Sequence, residues 1–183
     1  MAEVTSPPPA TLTPAEHALV LVTASAARRP AAETALAAGF GTAPPAGPEV
    51  RMAGSVAILG LGPGRWLLAA PDATGPGLLA RAGAALGATA LATDQSDARA
   101  VFRLAGPRLA DLLERITALD PQGPELAVGA AAATDVMQCP AWLWRPSADA
   151  ILAAVPRSYA ADFERTVAQA AATLAAALAA ANA

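Results

Sequence analysis

From residue 56 onward, short apolar segments alternate with short polar ones, and this pattern predicts strands and helices separated by turns. Residues 56–61 (VAILGL) and 65–70 (RWLLAA) are apolar and are joined by a Gly-Pro-Gly segment, which predicts a β-hairpin. A helix is expected over residues 77–86, because its leucines and alanines fall on one helical face. Gly87 is placed to end that helix.

A second unit of strands and helices follows. Residues 88–93 and 99–104 are predicted strands on either side of a polar turn. Gly106-Pro107 opens a helix, since apolar side chains then recur at helical spacing: Leu109, Leu112, Leu113 and Ile116.

The last part of the chain is predicted to hold three strands and one helix. The strands are expected at residues 132–137, 141–145 and 150–155. The final helix is expected to start after Pro156, with Ser158 as its N-cap. Its buried side is expected to carry Phe163, Val167, Leu174 and Leu178.

Residues 1–49 differ from the rest because proline-rich segments flank an alanine-rich stretch at residues 14–36. Two interpretations of that stretch remain open. Pro14 fits the first turn of a helix capped by Thr13, whereas residues 19–22 (LVLV) fit a strand. Such a segment does not fold alone, so it is expected to wrap the following domain or to lie along a partner.

The order of elements predicts an α+β fold. It reads β-β-α-β followed by β-α-β-β-β-α, which is typical of two small antiparallel sheets with helices on one side of each. We therefore divide the chain into a Pro/Ala-rich N-terminal arm, residues 1–49, and an α+β domain, residues 50–183.

Composition excludes several classes of chemistry. All 12 basic residues among the 183 are arginines, so there is no lysine to form a Schiff base or to bind phosphate in a P-loop. One histidine and one cysteine do not supply a His/Cys metal site. The net charge of −3 argues against nucleic-acid binding by charge alone.

Compartment is predicted from the same composition. A single cysteine allows no internal disulfide and fits a reducing compartment. We find neither a secretory signal nor an apolar run long enough to cross a bilayer, so the expectation is a soluble cytoplasmic protein.

Two motifs invite a functional interpretation. Gly60-x-Gly62-x-Gly64 is shared with dinucleotide-binding loops, but a proline lies inside it and a strand rather than a helix follows, so a hairpin is favoured. Residues 94–97, which include Asp94, Ser96 and Asp97, could hold a catalytic carboxylate pair; turn formation with pairing to Arg99 is favoured.

The remaining candidates also have structural interpretations. No neighbour in sequence orients His17 for catalysis, and nothing basic lies beside Cys139 to activate its thiol. Trp142 and Trp144 share one face of a strand and, with Trp66, are expected to be core or interface anchors. Arg157 at a helix start is placed to bind an acidic group in this chain or on a partner; a structural or interface role is favoured.

Five segments, in this order and spacing, resemble the gamma subunit of heterotetrameric sarcosine oxidase. They cover roughly residues 55–170, and the second and last are the most specific. They are LGPGRWLL from Leu61, TDQSDARAVFRLAGPR from Thr93, LDP from Leu119, LWR from Leu143 and VPRSYA from Val155.

The resemblance implies a fold similar to the folate-binding region of the glycine-cleavage aminomethyltransferase, and membership in an α-β-γ-δ heterotetramer. Such a complex oxidatively demethylates sarcosine to glycine and passes the one-carbon unit to tetrahydrofolate. The resemblance also implies that FAD, FMN, NAD and zinc are held by the alpha, beta and delta partner subunits, while the gamma chain holds no cofactor.

The hypothesis that follows is a non-catalytic structural subunit of a sarcosine-oxidase-type flavoenzyme; whether the chain counts as an enzyme stays open. The alternatives are a stand-alone folate-binding aminomethyltransferase-like protein, or a subunit of an oxidase for another N-methyl amino acid. Catalytic, cofactor-binding and metal-binding residues are not assigned. The interface or structural candidates are Arg65, Trp66, Asp94, Ser96, Asp97, Arg99, Trp142, Trp144, Arg157 and Tyr159.

Overall fold

The computed structural model describes residues 8–181, which form ten strands and four α-helices. The helices are α1 (Arg29–Phe40), α2 (Gly75–Leu86), α3 (Leu109–Ile116) and α4 (Ala160–Ala181). The strands are β1 (Thr11–Pro14), β2 (Ala18–Thr23), β3 (Val50–Ala53), β4 (Val56–Gly62), β5 (Arg65–Ala70), β6 (Leu91–Asp94), β7 (Arg99–Ala105), β8 (Ala131–Val136), β9 (Cys139–Ser147) and β10 (Ala150–Pro156).

The strands form two antiparallel five-stranded sheets, which we call the first and the second sheet. The first has the order β1-β7-β10-β9-β8, and the second has the order β3-β4-β5-β2-β6. The predicted α+β fold with two antiparallel sheets is confirmed. Residues 18–94 supply the second sheet, and residues 99–156 supply the first, to which β1 is added as an edge strand.

The sheets lie face to face, and the helices cover their outer sides. Between them lies one apolar cluster, to which the second sheet contributes Leu19, Leu59 and Leu67, and the first sheet contributes Val101 and Trp144. The outer side of the first sheet packs on α3 and α4, and that of the second packs on α1 and α2. The result is four layers, helix–sheet–sheet–helix, with three apolar interfaces.

The N-terminal segment is part of both sheets. Of the two interpretations of residues 14–36, the strand is confirmed, because β2 lies between β5 and β6. The proposed helix start is wrong, since Pro14 ends β1 and α1 begins only at Arg29. Leu19 faces the first sheet while Val20 faces the helices, so both sides of β2 are buried. Residues 1–7 of the predicted arm lie outside the described residues.

The later elements follow the predictions closely, with two corrections. The four apolar residues of α3 are buried, as are the first three predicted on α4. Ser158 is not an N-cap, because it lies inside a 3-10 turn, Arg157–Tyr159, that has no side-chain cap. Strand β6 starts at Leu91 rather than at residue 88, because Thr89 turns back and donates its hydroxyl to the Leu86 carbonyl at 2.6 Å.

None of the helices in the described part of the chain combines the length and the hydropathy needed to cross a membrane.

Candidate functional site

The polar turn at residues 94–98 joins the two sheets, because it connects β6 to β7. The Asp94 Oδ1 accepts hydrogen bonds from the Ser96 backbone N–H at 2.9 Å and from the Ser96 hydroxyl at 2.7 Å. The Ser96 hydroxyl oxygen in turn accepts from the Leu19 N–H at 3.0 Å, and the Gln95 N–H donates to the Leu19 carbonyl at 2.8 Å. Asp94 and Ser96 therefore close the turn and fasten it to β2.

The Asp94 carboxylate lies against the start of α2. A Cβ atom placed on Gly75 would lie 2.7 Å from the Ser96 Oγ and closer still to the Asp94 carboxylate. A carboxylate at a helix N-terminus is favoured by the helix dipole. The turn thus requires a residue without a side chain at the first position of α2.

Arg157 holds the same turn from the first sheet. Its Nε donates to the Asp97 carbonyl at 2.8 Å, and its Nη2 donates to the carbonyls of Ser96 and Arg99 at 3.0 Å and 2.7 Å. The guanidinium therefore binds backbone oxygens of its own chain. Its partners within this chain are the backbone carbonyls of a turn and of Arg99 rather than the acidic group that the sequence offered.

The predicted pairing of Arg99 with the acidic turn is wrong. Among the described residues no ion pair joins Arg99 to Asp94 or Asp97. Its guanidinium carbon instead lies 3.3 Å from the centre of the Trp142 ring, and its Nη1 donates to the Ala154 carbonyl at 3.2 Å. Asp94 already accepts two hydrogen bonds from Ser96, and the Arg99 guanidinium has a cation–π contact with Trp142.

The tryptophans divide between core and surface. Trp66 and Trp144 are each 2% exposed, and the Trp66 Nε1 donates to the Pro45 carbonyl at 3.0 Å. Trp142 lies on the same face of β9 as Trp144 and is half-buried under Arg99. Trp66 is therefore a core residue in this chain, and of the three tryptophans only Trp142 reaches the surface appreciably.

Arg65 and Tyr159, the other two candidates, are exposed. Arg65 begins β5, and Tyr159 ends the 3-10 turn before α4 with 48% of its surface accessible. Tyr159 borders a shallow groove that also contains Met137, which is 41% exposed.

A cavity of about 470 Å³ opens beside the Arg157 contact, between the link from β1 to β2, strand β7 and the start of α4. Its charged and titratable lining residues are Glu16, His17, Arg99, Arg157 and Glu164. The cavity brings together His17, Arg99 and Arg157, which the sequence considered separately. Glu16 and Glu164 were not singled out in the sequence, because only the tertiary packing of β1 on β7 and α4 places them here.

His17 lines this cavity with its ring edge-on to Trp144, the ring centres being 5.9 Å apart. Its Nδ1 is buried and has no hydrogen-bond partner among the described residues. Burial lowers the pKa of His17 from its ordinary value of 6.5, which favours the neutral imidazole. Among residues 8–181, no serine, threonine, cysteine or lysine lines the cavity.

Two other sequence candidates have structural places. Cys139 is free and 5% exposed, and burial raises the pKa of its thiol, which agrees with an inert buried side chain. Within residues 8–181, no three His, Cys, Asp or Glu side chains lie close enough together to hold a metal ion.

The glycine motif forms the predicted hairpin between β4 and β5. Gly62 and Gly64 have φ values of 126° and 69°, which side-chain-bearing residues rarely adopt. A Cβ on Gly60 would collide with the Gly47 carbonyl. Since β5 rather than a helix follows, the loop presents no helix N-terminus to a phosphate.

Comparison with known proteins gives a match in structure only. No protein-family model and no curated protein matches this sequence. A chain of the heterotetrameric sarcosine oxidase from Corynebacterium sp. U-96, solved in complex with pyrrole 2-carboxylate, is similar with a TM-score of 0.81 and 28% identity. The alignment covers 93% of this chain and 88% of that chain, so it extends into the strands before residue 49.

A second solved structure shares the fold. The glycine cleavage system aminomethyltransferase T from Bartonella henselae matches with a TM-score of 0.66 and 18% identity over 88% of this chain. The match covers 45% of the aminomethyltransferase, so this chain corresponds to about half of that protein. The predicted likeness of fold to both groups of proteins is thereby confirmed.

Proposed function

We propose that this chain is a structural, non-catalytic subunit of a sarcosine-oxidase-type complex, corresponding to the gamma subunit. The observation that carries the proposal is the similarity to a chain of heterotetrameric sarcosine oxidase over nearly the whole length of both chains.

The hydrogen bonds that polar side chains make within this chain support a structural role. Asp94, Ser96 and Arg157 have their hydrogen bonds within the junction of the two sheets. Burial lowers the pKa of His17, and the described residues that line the cavity with it include no serine, threonine, cysteine or lysine. In this proposal the chain folds as a rigid body and acts through its surface.

The partners in this proposal are the alpha, beta and delta subunits of the complex. They hold FAD, FMN, NAD and zinc, and this chain holds none of these groups. The assembled complex demethylates sarcosine to glycine and transfers the one-carbon unit to tetrahydrofolate. The proposed compartment is the cytoplasm.

Co-purification tests this proposal. The chain is tagged, expressed in its native host, and isolated under conditions that preserve complexes; subunits are identified by mass spectrometry and flavin by its absorbance near 450 nm. We expect three further subunits and bound flavin to elute with the tagged chain. A tagged chain that is folded, monomeric and free of flavin subunits in every such preparation would contradict the proposal.

A second candidate is a stand-alone folate-binding protein, which the shared fold with the aminomethyltransferase favours. A folate site needs a deep pocket with converging polar groups. The 470 Å³ cavity is of the right order, although it opens beside the sheet junction. Titration of the purified chain with tetrahydrofolate separates the two: saturable binding to the isolated chain supports this candidate, and no binding at high micromolar ligand removes it.

An oxidase for another N-methyl amino acid is the remaining alternative, since the proposed role of this chain does not depend on the substrate. Measuring turnover of the isolated assembly with sarcosine and with other N-methyl amino acids distinguishes them.

A further inference from the structure

The first sheet covers only part of the second sheet, and the uncovered part lies at β6. The register across β5, β2 and β6 places six residues of the inner side in two neighbouring rows: Leu67, Leu21 and Thr93, then Arg65, Thr23 and Leu91. In the first row, Leu67 is enclosed between the sheets, Leu21 is half-buried and Thr93 is exposed. All three residues of the second row are exposed, and Leu91 has 69% of its surface accessible. We use the name β6 face for Leu21, Thr23, Arg65, Leu91 and Thr93.

Strand β6 is also an edge of its sheet, since among the described residues it pairs with β2 alone. The Gln95 N–H donates to the Leu19 carbonyl at 2.8 Å, and the hydrogen bonds of an antiparallel pair alternate along each strand. Ala92 therefore directs its N–H and its C=O away from β2, toward the open side of the sheet. An exposed edge of this kind can accept a further strand from another polypeptide.

The charges beside this edge are positive. Arg28 borders a groove at the start of β6, where its Nη1 donates to the Ala88 carbonyl at 2.6 Å. Within residues 8–181, neither Arg28 nor Arg65 forms an ion pair. Of the described residues that line the groove, none carries a carboxylate, and the Asp94 side chain lies on the other side of β6, near Gly75. Two guanidinium charges are thus left for an acidic partner, although the whole chain has a net charge of −3.

We propose that β6 and the β6 face bind an extended, acidic segment of a partner polypeptide. The segment pairs its backbone with the N–H and C=O of Ala92. Its apolar side chains cover Leu21 and Leu91, and its carboxylates face Arg28 and Arg65. A second copy of this chain would bring its own arginines to the same place, so like charges disfavour that occupant. The inference rests on the proposed function in one respect, because the partner is taken to be another subunit of the complex.

Hydrogen–deuterium exchange tests the predicted strand pairing by comparing the isolated chain with the affinity-isolated complex at single-amide resolution. In the isolated chain we expect the Ala92 amide to exchange rapidly, because it lacks an acceptor. In the complex we expect its exchange to slow by about tenfold or more. The Leu68 amide is the control, since β5 lies inside the sheet and should be protected in both samples. Equal exchange of Ala92 in the two samples would overturn the proposal.

A matched pair of variants ties assembly to the apolar part of this face. Leu91→Asp places a charge on β6, whereas Met52→Asp places one on β3, the opposite edge of the same sheet, where Met52 is 50% exposed. Both positions are exposed, and circular dichroism verifies that each variant folds. We expect the yield of co-purifying subunits to fall about tenfold with L91D and to stay unchanged with M52D. Equal yields from the two variants would show that the β6 face is not the docking surface.

The charge requirement has its own pair of variants. Arg65→Glu reverses a cation on the β6 face, and Arg115→Glu reverses an exposed one on α3. We expect R65E to lower the yield of the complex about tenfold, with a smaller loss at high salt, and R115E to leave it unchanged. An unaltered yield with R65E would remove the acidic partner.

The outcomes separate this inference from the proposed function. A complex that assembles but leaves Ala92 unprotected removes only the inference, whereas a chain that stays monomeric in every preparation removes both. Protection of Ala92 that rises with the concentration of the isolated chain would assign the β6 face to a second copy and overturn the proposal.

Discussion

At the scale of single residues, a few polar contacts hold the junction between the two sheets, and the local sequence predicts only some of them. The DQSD turn is recognisable, since Asp and Ser are the residues that close turns through their own backbones. The turn is also hydrogen-bonded to Leu19 and to Arg157, and these bonds join residues that are 60 or more positions apart in the chain. Such contacts depend on tertiary packing and cannot be derived from spacing.

Arg157→Ala should weaken the fold by about 1 to 2 kcal/mol, because three backbone carbonyls lose a charged donor and only water can replace it. Urea unfolding followed by tryptophan fluorescence measures the change. Arg165→Ala is the control, since Arg165 contacts only the exposed Asp162 on the same helix and should change stability little. Equal stabilities of the two variants would contradict the assigned role of Arg157.

His17 should make stability depend on pH in a defined direction. Burial lowers its pKa below 6.5, so the unfolded chain binds a proton that the folded chain resists. The His17 contribution is therefore fully present above pH 6.5 and is lost as the pH falls below it toward the folded-state pKa.

Unfolding free energies at several pH values between about 7.5 and 5 test this prediction. We expect the unaltered chain to lose more stability on acidification than a His17→Gln variant, since the variant has no group that titrates there. A slope that is the same in both chains would show that His17 titrates with its ordinary pKa when folded.

At the scale of elements, most of the secondary structure follows from the sequence, and the exceptions have physical reasons. The hairpin from β4 to β5 combines apolar runs with turn residues, and its position agrees with the prediction. The apolar stripe of α3 is also where the periodicity predicts it, but the helix begins at Leu109 rather than at Gly106-Pro107, which form a turn before it. Strand β2 was ambiguous because both of its faces are buried, which removes the alternation that identifies a half-buried strand. Ser158 resembled a cap, but a 3-10 turn there precedes α4.

Helix α2 offers two glycine positions with opposite predicted effects. Gly75→Ala should destabilise the chain, because the new methyl group would collide with the Asp94 carboxylate and the Ser96 hydroxyl. Gly83→Ala should stabilise it by about 0.5 to 1 kcal/mol, because nothing lies within 4 Å of the added Cβ and alanine favours the helix. Thermal unfolding of the two variants side by side gives the answer. Stabilisation by both substitutions would show that Asp94 and Ser96 do not pack tightly enough against Gly75 to exclude a methyl group.

The hairpin from β8 to β9 carries an unfavourable turn. Its two loop residues, Met137 and Gln138, have φ values of 49° and 65°, which glycine and asparagine adopt more readily. Gln138→Gly should therefore raise the unfolding free energy by a few tenths of a kcal/mol up to about 1 kcal/mol. Chemical denaturation detects this, with Gln169→Gly in the middle of α4 as a control that should destabilise. A loss of stability in Q138G would indicate that the Gln138 side chain contributes contacts that outweigh its backbone conformation.

At the scale of the whole molecule, the four layers bury most of the large apolar residues, and the surface keeps few of them. The exposed ones include Tyr159 and Met137, which border one groove, whereas Trp66 is fully enclosed. Replacing Trp66 by alanine would consequently damage the core, so it is a poor probe of assembly. In the proposed complex, Tyr159 and the Arg99–Trp142 stack are further candidate surface positions for contact with a partner subunit.

In the proposed role, this chain performs no oxidation or one-carbon transfer by itself and takes part in those reactions only within an assembly. Sarcosine-dependent oxygen consumption, compared between the purified chain alone and the affinity-isolated complex that contains it, tests this most directly. We expect turnover in the complex and none in the isolated folded chain. Oxygen consumption by the isolated chain, with no other protein present, would contradict it.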